Sequence, residues 1–478
     1  MLDGITERLV DSTLKTSFAD LPKEVVDKIK QMLLDSIGCA LAGATVDRGK
    51  LAIELVKEFG GNPQASIIGS HHTSYALAAF ANGELINALD YDYVGPVAPH
   101  ICPYVTSPCL AIAEHVHASG KELILSLALA HEIGGRFITS IAQKKISKEE
   151  PPYYEEWPRY THAYTVFGGV AGACKLLRLD SKQISNALGI VGASAPVPAG
   201  AKWERLAGPA IMVKYNAWSG WVCQLATVAV LLAKKGFTGD TTILDGEWGF
   251  WKIVGSPFFN VDNLLGDLGK IWHIGEVEFK LYPTCGLTHA GIEGINRILM
   301  EHEIRPEEID AIRVKGDALL LSPNRAGMEI QSFADVQFSN AYIFAIGAYH
   351  GRSPSAAWQM PTIYDSPEVK ALAKKVKVEV HPQAEELISS RLKAGKRPNF
   401  WNTIVEITAG ESKFSTEVIS PKGTQDNPVM EEELVEKFRN NACYSMLSTG
   451  KTEEIIEIVK KLEEVDDITK LTRLITVD

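Results

Sequence analysis

From Glu7 to about Asp267 the apolar residues recur mainly at three and four positions, as in Val25, Ile29, Met32, Leu33 and Ile37. That spacing gives a helix one buried stripe. Residues 122–141 and 219–235 are apolar on nearly every face and rich in small side chains, which predicts helices enclosed by other helices. Near Ile271 the texture changes: EVEFKLYP, DAIRVKG, VKVEVHP and TIVEITAG alternate or carry β-branched residues, the period-two pattern of half-buried strands. Helical stretches at 287–301, 340–350 and 367–375 lie among them. After FSTEVISPKGTQDNP the segment 431–474 returns to helical spacing. The pattern therefore predicts a mainly α protein: a large all-helical domain (1–268), a smaller α/β lid domain (269–410), and a C-terminal segment (411–478) that packs back on the helical domain.

A chain of 478 residues with 46% hydrophobic and 22% charged residues can bury a large core. Forty-eight Lys and Arg against 59 Asp and Glu leave a net charge of −11. This argues against a nucleic-acid surface, where clustered cations must displace counterions from phosphates. The most apolar run, 225–233, is well short of a bilayer span. The opening MLDGITERLVDSTLK lacks the apolar stretch of a secretory signal, so the expected location is the cytoplasm. Seven scattered cysteines with no CxxC read as reduced thiols used as small core residues, not as a metal or iron–sulfur cluster.

GxG, GxxxxGK[ST], GxSxG and HExxH are all missing, which removes the common nucleotide, hydrolase and zinc signatures. His115 and His117 sit two apart and point to different sides. His131 with Glu132 is half of a zinc motif, better read as core. What remains are chemically capable residues at element edges. NALDYDYVGPVAPH places Asp90, Asp92 and His100 in a loop after a helix, where irregular backbone can aim side chains into a cleft. YTHAYTVFGG offers His162, VKYNAWSGW offers Lys214, and FKLYPTCGLTH offers Lys280 and His289.

Taken in order, SIGCALAG, NGELINALDYDYV with His100, His162 with Gly168, ALGIVGASA, KYNAWSGW followed by LLAKKGFTGD, FKLYPTCGLTH and QFSNAYIFAIGAYHG resemble the MmgE/PrpD family over nearly the whole chain. The resemblance implies a helical large domain, an α/β lid, a homodimer, and a site without metal or organic cofactor. It implies catalytic roles for Asp90, His100, His162, Lys214, His289 and Tyr342, with Lys214, His289 and Lys280 binding substrate carboxylates. Asp90 would hold His100 in one tautomer. His100 and His162 would exchange protons with the substrate.

The implied activity is a cofactor-independent lyase dehydrating a small hydroxy di- or tricarboxylate, 2-methylcitrate-like, by proton abstraction beside a carboxylate. The same site would also suit a decarboxylase of a cis-aconitate-like acid or an epimerase of a dicarboxylate. A catalytically silent scaffold and a metal-dependent hydratase are the alternatives from other classes. Where many members continue the acidic loop with polar residues, this chain has Tyr93, Val94 and Gly95, and Ile101 follows His100. The pocket is accordingly expected to accept a different acid from the best-known members.

Overall fold

The computed structural model describes residues 3–95, 100–146, 154–157, 161–195, 218–327, 330, 333–383, 386–387, 389–390 and 402–477. The first half is built of helices α1 (Ile5–Lys15), α2 (Lys23–Gly43), α3 (Asp47–Phe59), α4 (Tyr75–Asn87), α5 (Cys102–His115), α6 (Gly120–Ile141), α7 (Val166–Leu176), α8 (Ser181–Ser194) and α9 (Ser219–Lys234). Helix α6 starts where Ser119 and Glu122 cap each other: the Ser119 N–H donates to Glu122 Oε2 at 2.8 Å, and the Glu122 N–H to Ser119 Oγ at 3.3 Å. This reciprocal pairing satisfies backbone donors that a helix start leaves open. Small residues then let α7 lie close along α6. A Cβ on Gly168 would sit 2.0 Å from the Ala130 carbonyl oxygen.

The first half is not purely helical. Two short antiparallel hairpins, β1 (Ala65–Ser66) with β2 (His72–Thr73) and β3 (Gln143–Ile146) with β4 (Tyr154–Trp157), interrupt it. Strands of two and four residues carry too few alternations to register as period two.

The second core belongs to an α/β unit. Helices α10 (His289–Glu301), α11 (Asn340–His350) and α12 (Pro367–Ala373) pack with a four-stranded sheet of β5 (Ala311–Gly316), β6 (Val376–Val380), β7 (Thr403–Ala409) and β8 (Ser412–Val418), ordered β6-β5-β7-β8. Strands β5 and β6 are parallel, and the other pairs antiparallel, with Val314 opposite both Val378 and Val405. Along β5 burial alternates, Ile312 and Val314 inward and Arg313 outward. This half-buried pattern is what the sequence shows. Strand β8 carries the sheet to Val418, past the boundary expected at 410.

The EVEFKLYP segment also differs from expectation. It is not a strand of this sheet: Glu276 ends a 3₁₀ turn, residues 281–283 bend, and its ladder contact is a single antiparallel bridge between Val94 and Glu278. Beyond the sheet, α13 (Glu431–Ala442) and α14 (Thr449–Lys460) return to the first core. Phe438 of α13 lies 3.0 Å from where a Gly38 Cβ would be, so α2 and α13 are in close contact. No helix among the described residues is long and apolar enough to cross a membrane.

Candidate active site

The site is built around the turn that follows α4. Asp90 takes φ +53°, in the left-handed region, where Asp is better tolerated than most residues but is still uncommon. Surrounding groups hold it there. Lys280 Nζ donates to the Asp90 carbonyl at 2.7 Å and lies 3.0 Å from Asp90 Oδ1. Main chain and carboxylate of one residue are thus gripped by one ammonium, and both side chains are buried. Lys280 reaches this depth because the Val94–Glu278 bridge and a hydrogen bond from the Phe279 N–H to the Gly423 carbonyl, at 2.9 Å, fix the two residues before it. Burial of its side chain excludes a solvated position at a strand edge for Lys280.

His100 Nδ1 lies 3.7 Å from Asp90 Oδ1, and His100 is buried. Lys280, not His100, is the nearer cationic partner of Asp90, so the carboxylate's orienting effect on the imidazole acts across a longer gap than a hydrogen bond. Asp92 is buried and accepts from Asn87 Nδ2 at 2.9 Å. Ligand atoms of Asp90, Asp92 and His100 all lie within 4.8 Å of one another, a spacing that a cation can use. In this structure the Lys280 ammonium already supplies positive charge at Asp90.

From the lid side, His289 opens α10 and is buried edge-on against Tyr282, ring centroids 5.1 Å apart. Burial first, and the Lys280 charge second, push its pKa down to about 3; the Asp90 charge and a backbone hydrogen bond at Thr284 only partly offset this. His289 is therefore neutral near pH 7, not a fixed cation for carboxylates. Its Nε2 is buried with no hydrogen-bond partner among the described residues. Tyr342 is buried in the lid core on α11, which packs against α10. Lys214 and the side chain of His162 lie outside the described residues; His162 belongs to the 3₁₀ turn Thr161–Thr165 that leads into α7.

Several residues that the sequence did not single out complete the surroundings. Lys437 of α13 is buried and donates to Asp35 Oδ1 at 2.6 Å and to the Tyr91 carbonyl at 2.8 Å, with Nζ 3.9 Å from the Tyr91 ring centre. Burial alone would lower its pKa, but the Asp35 carboxylate, ahead of Cys39 and Tyr91, reverses that and holds it raised. Asp35 Oδ2 accepts the Tyr93 N–H at 3.0 Å. The signal was an acid inside the apolar run MLLDSIGCALAG of α2: such a residue must find a partner or stay out of the core. His131 is a core histidine, as expected, 2.8 Å from the Tyr93 hydroxyl, and burial pushes its pKa down to about 3. Glu132 accepts from Arg136 Nε at 2.6 Å and from the His273 N–H at 2.8 Å, a packing role. Six of the seven cysteines are buried free thiols, and Cys443 is exposed.

Fold and site together define a mainly helical protein with an α/β lid and a buried carboxylate–lysine–histidine cluster at their junction. The chain belongs to the MmgE/PrpD family: the model of the MmgE/PrpD N-terminal domain matches residues 7–259 and that of the C-terminal domain matches 282–464. Among curated proteins it is similar to the cis-aconitate decarboxylase of Aspergillus terreus, 26% identical over 497 residues, covering 99% of this chain and 96% of that protein. The cis-aconitate decarboxylase of Homo sapiens is 24% identical over 499 residues, with 99% and 95% covered. That of Mus musculus is 24% identical over 504 residues, with 99% and 94% covered. These relatives are lyases, and lyase is the level at which the likeness speaks.

Proposed function

We propose that the protein is a lyase acting on a small di- or tricarboxylate, and that decarboxylation of a cis-aconitate-like acid is its reaction. The observation that carries this is the convergence of Asp90, His100, Lys280 and His289 from a helical-domain loop and a lid turn that lie far apart in sequence. The activity named for the relatives, cis-aconitate decarboxylase, favours loss of carbon dioxide over dehydration of a 2-methylcitrate-like acid. When a carboxylate on a carbon adjacent to a carbon–carbon double bond leaves as carbon dioxide, the C–C bond breaks and a new double bond forms at that carbon. The broken bond's electron pair moves through the double bond to the carbon beside a second carboxylate, which must then take a proton. Developing negative charge there calls for positioned donors and cations.

In this reading His100 and His162 handle the proton, Lys214 holds a carboxylate, and neutral His289 offers its Nε2, which has no hydrogen-bond partner among the described residues, as a hydrogen-bonding group. Tyr342 donates from the lid. Lys280 acts mainly by fixing Asp90 and by its charge. No metal or organic cofactor takes part. The α/β unit, with its sheet running to Val418, is the lid that closes on the acid, excluding water and strengthening the charge contacts. The protein works in the cytoplasm, where its buried thiols stay reduced, and as a homodimer. Trp218, Trp221 and Val228, 42%, 49% and 37% exposed, form one face of α9 and its N-cap with the half-buried Leu225 and Leu232, a stripe suited to a second copy. Trp221→Glu is expected to halve the mass seen in sedimentation, and an unchanged mass removes that face from the dimer.

A panel of cis-aconitate-like, citrate-like and 2-methylcitrate-like acids decides the reaction. Released carbon dioxide supports the proposal. A new ultraviolet-absorbing double bond without carbon dioxide establishes dehydration, and loss of optical rotation alone establishes epimerisation. If no acid reacts, or exchanges carbon-bound hydrogen with deuterated solvent faster than with His162→Ala, the lyase reading falls and the scaffold reading takes its place.

A further inference from the structure

Four consecutive carbonyls of the site turn are each held by a side chain from the second half of the chain. The Ala88 carbonyl accepts from Gln337 Nε2 at 2.8 Å, Leu89 from Gln359 Nε2 at 2.6 Å, Asp90 from Lys280 at 2.7 Å and Tyr91 from Lys437 at 2.8 Å. A turn after a helix normally leaves such carbonyls to water. Here the donors are supplied by groups 249, 270, 190 and 346 residues away in sequence.

Gln359 stands apart among the four. Its second N–H donates to the Pro283 carbonyl at 2.7 Å, and its Oε1 accepts from Gln337 Nε2 at 2.6 Å. Because both Nε2 contacts are to main-chain carbonyls, only one orientation of the amide satisfies them. Gln337 in turn receives the Cys285 N–H on its own carbonyl at 3.1 Å. The pair, both buried, therefore joins the Asp90 turn to residues 283–285, which lead directly into His289. The neighbouring Ala356 packs with Cys39, Ala42, Val46, Ala88, Leu89 and Tyr91, so a wedge of the lid is seated in the helical domain beside the turn.

We infer that Gln359, with Gln337, is a positioning residue: a clasp that fixes the spacing between the Asp90–His100 side of the site and the His289 side. Neither glutamine needs to touch the substrate. The clasp sets how long an acid fits between the two sides, and it makes seating of the lid and assembly of the site one event. The inference rests on the proposed function for its claim that these two segments bear the reacting groups.

The test uses the full chain with Gln359→Leu, which keeps the bulk and removes both donors, and Gln337→Leu as a second variant. Amide hydrogen exchange is followed over 87–94 and 283–290, with strands β5–β8 and helix α6 as internal standards. The clasp is supported if exchange in both segments of Gln359→Leu speeds up together by about tenfold or more, the factor expected for losing buried hydrogen-bond partners, while the standards hold. It is overturned if only one segment loosens, if nothing changes, or if both variants loosen the whole protein alike, which is what a merely structural glutamine would do. With an acid that the native protein turns over, Gln359→Leu is expected to lower kcat about tenfold or more with a smaller change in KM. A fall confined to KM overturns the positioning role. If the native protein turns over no acid, the proposed function fails, and the exchange result still decides whether the two segments are coupled.

Discussion

Lys280→Met tests the arrangement at its most loaded point. The substitution keeps most of the stem and removes the ammonium, which lies 3.0 Å from Asp90 Oδ1 and donates to the Asp90 carbonyl at 2.7 Å. At an effective dielectric constant of about 20, two unit charges at that separation attract by about 5 kcal/mol; the carbonyl bond adds about 1.5–3 kcal/mol. The relief of desolving the lysine works against these sums. What remains after truncation is a buried carboxylate in a left-handed conformation with His100 Nδ1 at 3.7 Å as a distant substitute. Removing one partner of a buried pair costs about 3–5 kcal/mol, and that is the loss expected in urea unfolding of Lys280→Met at pH 7. Asp90→Asn lets the turn keep its φ, and the double variant is expected to recover about 2 kcal/mol or more of the summed losses, since the two changes remove one interaction. A Lys280→Met cost within about 1 kcal/mol, the worth of an exposed pair, would refute the reasoning. So would additive single and double variants.

Three other outcomes follow from the geometry. His131 and His289, both with pKa near 3 against an ordinary 6.5, bind fewer protons folded than unfolded. Their contribution is complete above about pH 6.5 and is lost toward pH 3, each costing about 2 kcal/mol between pH 6.5 and 5; unfolding measured at both pH values checks this, and His289→Gln should flatten the slope. Gly168→Val puts a branched side chain where a Cβ alone would meet the Ala130 carbonyl at 2.0 Å and the Gly134 nitrogen at 2.6 Å; a loss of about 3 kcal/mol or failure to fold is expected, and a melting temperature unchanged from native counts against close α6–α7 packing. Although Asp90, Asp92 and His100 are spaced for a cation, extensive treatment with a chelator is expected to leave activity intact, and a loss restored by one divalent metal would revive a metal-dependent mechanism.

How far the sequence reveals this molecule depends on whether the information is local. Helix α11 falls at the expected 340–350, and α6 is announced by Ser119 and Glu122, because spacing and caps act within a few residues. EVEFKLYP misleads for the same reason: its alternation records alternating burial over 276–279, but strand pairing needs a neighbour that local pattern does not contain. Phe279 and Lys280, adjacent in sequence, are both buried, which period-two reading forbids for a two-faced strand. Asp90, His100 and His289 stand out as polar residues at element edges. Gln337, Gln359 and Lys437 do not, since their partners are carbonyls hundreds of residues away and carbonyls have no sequence signature.

The charges at the site bear on where an anionic acid can bind. Around the turn, the buried groups Asp35, Asp90 and Asp92 bring three formal negative charges, and Lys280 and Lys437 bring two positive ones. His289 is neutral. Both ammoniums are engaged, each by a carboxylate and a carbonyl. This cluster by itself does not form the electropositive chamber that a polycarboxylate needs; its charges hold the turn in place. Under the proposed function, attraction for the acid falls to Lys214, which lies outside the described residues. The paired charges therefore fix the geometry in a low-dielectric junction, where a lone charge would be costly, and under the proposed function they leave the binding of the acid to other groups.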